Sequence, residues 1–551
     1  MQNQYLTIIW KIGLNSNMMI KTAFHRECYK RQSNIKKRIM QLKIKILNID
    51  SGGKPFVFLN DEDADELNIT ASERVTVQAK KKLTAIVNTS TTIERGFLGV
   101  TEEVRKILSL KQNILVAVDI APFPKSLQFI RNKLSRKKLL YPEIHEIIQD
   151  LVDGNLSESE ISAFVTALHI DKLDLDEATS ISRSMVDTGK TLNINKKVIV
   201  DKHSIGGVPG DKTTLLVVPI IASEGFTIPK TSSRAITSAA GTADRAEILM
   251  PVEFTTNKML QILKKSNGCI VWGGAIELAP ADDIFVKIEF SLHIDPLLLP
   301  SIMSKKKAVG ATHLVVDIPT GRGAKMKTTG EADLLAKDII ELGSRLGIHT
   351  HCILTYGEQP IGNTVGPALE AKEALEVLMN QKHVPDLIDK ACNIAGSMFE
   401  LLGKKEGYSL AKKILESGKA EQKMREMIKA QGGNSLILPE DIPIGKYCLV
   451  ISSEKSGQVL WMENKIIVDI ARAAGAPKDK GAGIVFNKKI GDLVEKGELL
   501  FTIYAEKTHK LDRVKYILST QTPLGVGKRS DMSIHIVSES PVVERTFVID
   551  R

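Results

Sequence analysis

The sequence predicts a multidomain α/β protein, and three observations predict it. Between residues 198 and 436, β-branched runs such as KVIVD, CIVWG and HLVVDIP alternate with segments of helical periodicity, the signature of a layered α/β structure. The flanking regions instead carry short β-like runs punctuated by glycine turns. With 551 residues the chain is long enough for several domains of about 100–200 residues each.

In chain order, residues 1–40 form a basic extension. Before Met40 lie Lys11, Lys21, Arg26, Lys30, Arg31, Lys36, Lys37 and Arg38 against Glu27 alone, which accounts for seven of the ten units of net charge. The remainder is close to neutral, which argues against a nucleic-acid partner. The extension lacks a compact apolar stretch followed by a small-residue cleavage site, so it makes a poor secretory signal, although its basic, Ser-containing composition imitates a transit peptide. We expect it to be a disordered tail, or to precede a start at Met40. Residues 41–121, with LKIKIL, PFVFL, RVTVQA, LTAIV, ILVAVDI and the turn Ser51-Gly52-Gly53, predict a small all-β, barrel-like module. Pro122 and Pro124 punctuate the chain, and residues 125–195 have helical spacing, with Ser157 and Glu160 placed as a capping box. Residues 196–436 make the α/β domain and residues 437–551 a C-terminal α+β domain. In that last part GAGIVFNKKIGDLVEKGELLFTIYA resembles the strand–turn pattern of lipoyl and biotinyl carriers. Lys488 and Lys489 lack the Met-Lys-Met setting of such carriers, so no swinging arm is expected.

Hydrophobic residues at 43% and charged residues at 25% are ordinary for a globular protein in water. The longest apolar stretch, LLVVPII, contains Pro219 and falls far short of the roughly 18 residues that a membrane span needs. Cysteines at 28, 269, 352, 392 and 448 are scattered and form no CxxC pair, which indicates neither a disulfide framework nor a zinc knuckle and fits a reducing cytoplasm.

Three stretches carry chemistry. DKHSIGGVPGDKTT, residues 201–214, follows a strand but fails as a Walker loop: Asp211 separates Gly210 from Lys212, and Ile205 stands where the first glycine belongs. Lys202, Ser204, Thr213 and Thr214 beside three glycines still suit an oxyanion, since small residues expose amides and hydroxyls next to fixed positive charge. KTSSRAITSAAGTADRAE, residues 230–247, supplies hydroxyls at Ser232, Ser233, Thr237, Ser238 and Thr242, with the Arg234 fork and a backbone that Ala239, Ala240 and Gly241 leave approachable. It reads as the other wall of one anion site. In LHIDPLLLPSIMSKKKAVG, residues 292–310, Ser301 and Lys305 share a helix face, and Asp295 precedes Pro296 in a turn.

Lys202-His203-Ser204-x-Gly-Gly-Val, the 232–242 loop and Ser301-x-x-x-Lys305, in this order, resemble the thymidine phosphorylase family of pyrimidine-nucleoside phosphorylases. The extra β-module, KTSSRAITSAAGTAD and DIPTGRGAKM are most similar to the subgroup containing AMP phosphorylases and the thymidine phosphorylases related to them. The resemblance implies a helical domain and an α/β domain with a cleft between them, part of residues 280–310 returning to the helical domain, and a homodimer or larger homo-oligomer. It implies phosphorolysis, in which phosphate attacks the anomeric carbon of a ribosyl group as the base departs, with no organic cofactor or metal and inorganic phosphate as co-substrate. By the same resemblance Lys202, Ser204, Thr214, Ser232 and Thr242 hold phosphate, and Asp295 and His203 are catalytic, Asp295 as proton donor. Gly207, Ser233, Arg234, Ala235, Ile236, Thr237, Ser238, Thr242, Ser301, Lys305 and Lys325 contact the nucleoside or nucleotide.

Two departures bear on the substrate. The pyrimidine-gripping arginine of thymidine phosphorylases has no clear match, Lys287 being nearest, and the spacing from Asp295 to Ser301 is two residues shorter than in the subgroup. Lys325 matches a ligand-binding lysine of AMP phosphorylases and supplies the cation a 5′-phosphate needs. A nucleoside 5′-monophosphate is therefore the expected substrate. The alternatives are thymidine, giving thymine and 2-deoxyribose 1-phosphate; a phosphoribosyltransferase with Asp244 and Glu247 near magnesium; and a non-enzymatic adaptor. No nucleic acid or membrane partner is expected.

Overall fold

Alternation of apolar and polar residues closes the N-terminal module into a barrel. The computed structural model describes residues 39–235, 238–276 and 278–528, so residues 1–38 of the basic extension lie outside the described residues. Strands β1 (Met40–Ile46), β2 (Phe56–Leu59), β3 (Arg74–Gln78), β4 (Lys82–Thr89), β5 (Phe97–Val100) and β6 (Leu115–Ile120) close in the order β1-β5-β2-β4-β3-β6. Leu42 and Ile44, Val57 and Leu59, Val75 and Val77, and Val116 and Val118 point inward at every second position and are fully buried. Closure leaves no unpaired edge. The all-β expectation needs correction, because helices α1 (Asp61–Leu67) and α2 (Glu102–Leu108) interrupt the strands. Each begins with acidic residues, which a helix N-terminus favours, and the Asn60 side chain caps α1 by accepting from the Glu62 N–H.

The chain divides into two compact units, one of which combines this barrel with residues up to 137 and residues 149–164. Helix α3 (Ser126–Leu134) lies in this unit, while α4 (Tyr141–Val152) and α5 (Glu158–Asp171) run through the division. The capping box at α5 is formed: the Ser157 N–H donates to Glu160 Oε2 at 2.7 Å. Glu160 also pairs with the buried Arg74 of the barrel.

The second unit is built on parallel strands. After α6 (Leu175–Asp187) come β7 (Val200–Ser204), α7 (Thr213–Ser223), β8 (Ile228–Ser232), the short α8 (Thr242–Ala246), α9 (Thr256–Ser266), β9 (Gly268–Trp272), α10 (Pro280–Leu292), α11 (Leu298–Ala308), β10 (His313–Thr320), α12 (Thr329–Arg345) and β11 (His349–Tyr356). The order β11-β10-β7 and the pair β8-β9 are parallel throughout, and a parallel bridge from Ile199 to Thr227 links them. All five strands thus end on one edge, where open α/β sheets bind ligands. The apolar run noted above is α7: every residue from Thr213 to Ala222 is buried, among α13 (Pro367–Leu378), α14 (Pro385–Leu401), α15 (Gly407–Glu416) and α16 (Lys419–Gln431). No helix among the described residues is long and apolar enough to cross a membrane.

The C-terminal region adds β13 (Tyr447–Ser452), β14 (Gly457–Met462), α17 (Asn464–Ala474), β15 (Gly483–Phe486), β16 (Leu493–Val494), β17 (Leu499–Ala505), α18 (Thr508–Thr520) and β18 (Leu524–Gly527). Strand β12 (Thr364–Val365), from the preceding segment, joins one of its sheets in the order β12-β15-β17-β13. Lys489 does not project at a hairpin tip; its ammonium donates to the carbonyls of Pro360 and Gly362 and pairs with Asp386 at 3.0 Å.

Lys212 ties these parts together. Its Nζ, fully buried, donates to the carbonyls of Ile361 and Thr364 at 2.9 and 3.0 Å, to Thr364 Oγ1 at 3.0 Å and to Glu373 Oε2 at 2.6 Å. Burial acts to push the Glu373 carboxyl up, but Lys212 and then Lys382 outweigh it and hold the group at about 2, below its ordinary 4.5. The stability this carboxylate contributes is therefore fully present above pH 4.5 and is lost as pH falls towards 2. Lys212→Met should lower the unfolding free energy at neutral pH by about 2–4 kcal/mol, since it strands two buried carbonyls and leaves the buried Glu373 carboxylate with Lys382 as its one cation, at 2.8 Å on the other oxygen. Urea denaturation measures this, and a loss within 0.5 kcal/mol, roughly the scale of surface changes, would show that the pair is not structural.

Candidate active site

The anion loop leaves the C-terminal end of β7 and bends back through three left-handed glycines, Gly206, Gly207 and Gly210, at φ +80°, +91° and +76°. Gly207 is also steric: a Cβ there would lie 2.8 Å from the Lys325 backbone nitrogen. At the far end of the loop Lys202 Nζ, from β7, donates to Thr213 Oγ1 at 3.1 Å and approaches Thr214 Oγ1 at 3.5 Å, in the first turn of α7. Thr213 passes its own proton to Asp211. Burial acts to push Asp211 up, yet the charges of Lys202, Lys390 and Arg245 hold it far below the usual carboxylate range.

Ser204, opposite Asp317 in the β7–β10 register, donates to Asp317 Oδ2 at 2.7 Å. Asp317 is wholly buried, pairs with Lys390 of α14 at 3.0 Å and accepts from Thr355 Oγ1 of β11 at 2.6 Å. His203 lies among cations. Burial first, then Lys306, Lys230, Lys305 and Lys202, push its imidazole well below its ordinary value, so it is neutral at physiological pH. Burial and the Lys306 ammonium likewise push Lys230 down, against Asp201. Asp201 pairs with Lys306 at 2.7 Å, and Asp282 pairs with Lys305 at 2.6 Å.

The loop after β8 is held from one carboxylate. Asp244 Oδ2 accepts the N–H groups of Ala235 and Gly241 at 2.7 and 2.8 Å, tying both to the start of α8, where Thr242 is the first residue. Gly241 has no room for a side chain, since its Cβ would come within 2.7 Å of Ala235 N. Arg234 turns its fork towards Glu247, Glu253 and Asp244 at 2.7, 2.8 and 3.3 Å and lies over the Trp272 ring. Arg234, followed by Lys480 against opposing burial, holds Glu247 at about 2. In this geometry Arg234 anchors the loop, and Asp244 and Glu247 are engaged with cations and amides. Ser232 closes β8 and donates to the Ser233 carbonyl at 3.3 Å, and Ser238 donates to the Ala240 carbonyl at 3.2 Å. Ile236 and Thr237 lie outside the described residues.

The third stretch presents Asp295 beyond the end of α10, where it pairs with Lys325 at 3.3 Å, both groups about half exposed. Ser301 and Lys305 stand one turn apart on α11. Behind Asp295, Glu289 accepts the Leu297 N–H at 3.0 Å and so closes the Asp295-Pro296 turn. Burial pushes the Glu289 carboxyl up to about 7, helped by Asp295 and Asp282 and opposed by the Leu297 N–H.

The structure thus brings together Lys202 with Thr214, His203 with the lysines of α11, and Gly207 with Lys325 and Asp295. Ser204 and Ser232 end neighbouring strands on the same sheet edge. Sequence reasoning missed Asp201, Lys230, Asp282, Glu289, Lys306, Asp317, Thr355 and Lys390. Asp317 alone carried a signal, as a charge inside the otherwise apolar run HLVVDIP.

Comparison with known proteins follows the same divisions. Residues 127–189 match the helical bundle domain of the glycosyl transferase family, residues 196–421 its α/β domain, and residues 459–523 the pyrimidine nucleoside phosphorylase C-terminal domain. A relative from Thermofilum pendens named AMP phosphorylase is 46% identical over 513 residues, spanning 93% of this chain and 100% of its own. AMP phosphorylases from Thermococcus kodakarensis and Methanocaldococcus jannaschii are each 48% identical, covering 88% and 85% of this chain and 98% and 94% of their own.

Glu289 gives a pH test. Its carboxyl keeps a proton up to about pH 7 in the folded chain against an ordinary 4.5, so its contribution to stability is intact below 4.5 and is lost as pH rises through 7. Glu289→Gln retains an acceptor for Leu297 and cannot ionise. Above pH 7 it should be the more stable form by on the order of 1–3 kcal/mol, with the gap closing in acid. Parallel stability curves for the two proteins across this range would rule the assignment out.

Proposed function

The chain belongs to the pyrimidine nucleoside phosphorylase family of glycosyl transferases, and on that premise we propose that it is an AMP phosphorylase. It is a pentosyltransferase: phosphate displaces the base of a nucleoside monophosphate, giving free base and, from AMP, ribose 1,5-bisphosphate. The observation that carries this reading is identity of 46% along the whole length of the Thermofilum relative.

In the proposed mechanism Lys202, Ser204, Thr214, Ser232 and Thr242 hold phosphate at the strand ends, beside a ribose whose C1 becomes positive as the base leaves. Neutral His203, with Ser301 and Lys305, contacts the base, and the 233–238 loop with Thr242 lines the nucleotide. Asp295 gives the departing base its proton. Its side chain pairs with that of Lys325, the cation that would meet a 5′-phosphate, so the two groups stand where recognition and the departing base adjoin. Lysines and hydroxyls suffice for these roles, so the reaction as proposed uses inorganic phosphate as co-substrate and no metal or organic cofactor. We also propose a homodimer or larger homo-oligomer working in the cytoplasm, a setting suited to unpaired cysteines.

Incubation with phosphate and a panel of AMP, other monophosphates, adenosine and thymidine should release base fastest from a monophosphate. Lys325→Ala should raise KM for that monophosphate roughly 10- to 100-fold and leave the matching nucleoside nearly unchanged. Faster cleavage of thymidine than of any monophosphate, with no effect of Lys325→Ala, would replace this reading by a thymidine phosphorylase.

A further inference from the structure

We infer that Ser204 accepts a hydrogen bond from the bound anion, so that the site selects an oxyanion carrying a proton: hydrogen phosphate over sulfate. This rests on the reading that Ser204 lies at the phosphate. The argument starts behind the serine. Asp317, fully buried and paired with Lys390 at 3.0 Å, offers acceptors only. Lys390 Nζ donates to Thr355 Oγ1 at 3.1 Å, which obliges Thr355 to spend its own proton on Asp317 Oδ1 at 2.6 Å. The other carboxylate oxygen takes the Ser204 proton at 2.7 Å. Every donor direction in this chain of bonds is therefore set by the ammonium at its end.

A serine whose proton is committed keeps two lone pairs. The Gly206 N–H takes one weakly, at 3.4 Å. The other is left for the ligand, and an oxygen that meets it has to bring the hydrogen. Hydrogen phosphate has one such P–OH. Sulfate is fully ionised at neutral pH and would set oxygen against oxygen. The remaining groups of the site suit the other phosphate oxygens, since Lys202 is a cation and Thr214 Oγ1, approached by Lys202, keeps its own proton to give. One acceptor among several donors matches the hydrogen count of HPO4²⁻. It also orients the nucleophile, with the protonated oxygen held against β7 and the ionised oxygens left for C1. Asp317, Thr355 and Lys390 are positioning residues in this arrangement, acting only through Ser204.

The test compares KM for phosphate with the competitive inhibition constant of sulfate, and calorimetric titration with each anion gives the same ratio without turnover. Wild-type protein should favour phosphate by roughly 10- to 100-fold. Ser204→Ala should weaken phosphate and scarcely alter sulfate, so that the preference collapses. In the double variant Asp317→Asn/Lys390→Met the amide donates to Ser204, the hydroxyl turns to the ligand, and sulfate should bind more tightly than to wild type. If that variant does not fold, wild type and Ser204→Ala decide the matter. Equal affinity of wild-type protein for the two anions overturns the inference, as does an equal loss of both anions in Ser204→Ala, which would make Ser204 a donor. Phosphate binding unaltered in Ser204→Ala overturns the placing of Ser204 at the phosphate.

Discussion

One ammonium group with no access to water organises the site. The candidate anion loop has to bend through three left-handed glycines while holding its hydroxyls still, and apart from the buried Ile205 and Val208 it has few side chains with which to resist thermal motion. Lys212 supplies the missing constraint from the loop's end. Its partners Ile361 and Thr364 belong to the segment that forms β12, and Glu373 belongs to α13. Because β12 is also a strand of a C-terminal sheet, the glycine-bearing loop, the helical layer behind it and the C-terminal region share one electrostatic fastening. Four oxygens at 2.6–3.0 Å replace the hydration that the lysine loses, which is the condition under which a charge can be buried.

Around this rigid frame the charges are deliberately unequal. Lys202, Lys230, Lys305 and Lys306 all act on His203, while Asp201 and Asp282 each neutralise one of them. The excess is positive where a phosphate would sit and where negative charge would build on a departing base. The acidic groups Glu289 and Asp295 stand together on the opposing stretch, close to Lys325. Environments that push titratable groups apart in this way cluster at sites of chemistry.

Much of this was legible in the sequence because it is local. Glycine, hydroxyl and lysine spacing within residues 201–214 exposed the anion loop, and alternating periodicities exposed the parallel strands and the barrel runs. What escaped depends on distance along the chain. The helices of the barrel are only seven residues each, and β5 is four residues with Gly99 inside, too short for either period to register. The ion pairs of Arg234 with Asp244, Glu247 and Glu253, 10 to 19 residues onward, likewise appear only once the chain folds back. Lys390 is one polar residue on an amphipathic helix, and its role exists only because β10 and β11 bring Asp317 and Thr355 beneath it. Lys306 looks like part of a solvated KKK run, yet it is almost completely buried against Asp201.

The lysine cluster around His203 has a consequence for the stability of the protein. Positive groups crowded at the strand ends repel one another, and on the proposed function an oxyanion that relieves them would bind the folded chain and not the unfolded one. Folding and anion supply then become a single linked equilibrium, in which each tenfold rise in free anion above its dissociation constant adds about 1.4 kcal/mol to the native state. Through that coupling the lysines that would gather the anion would also tighten the fold that presents them.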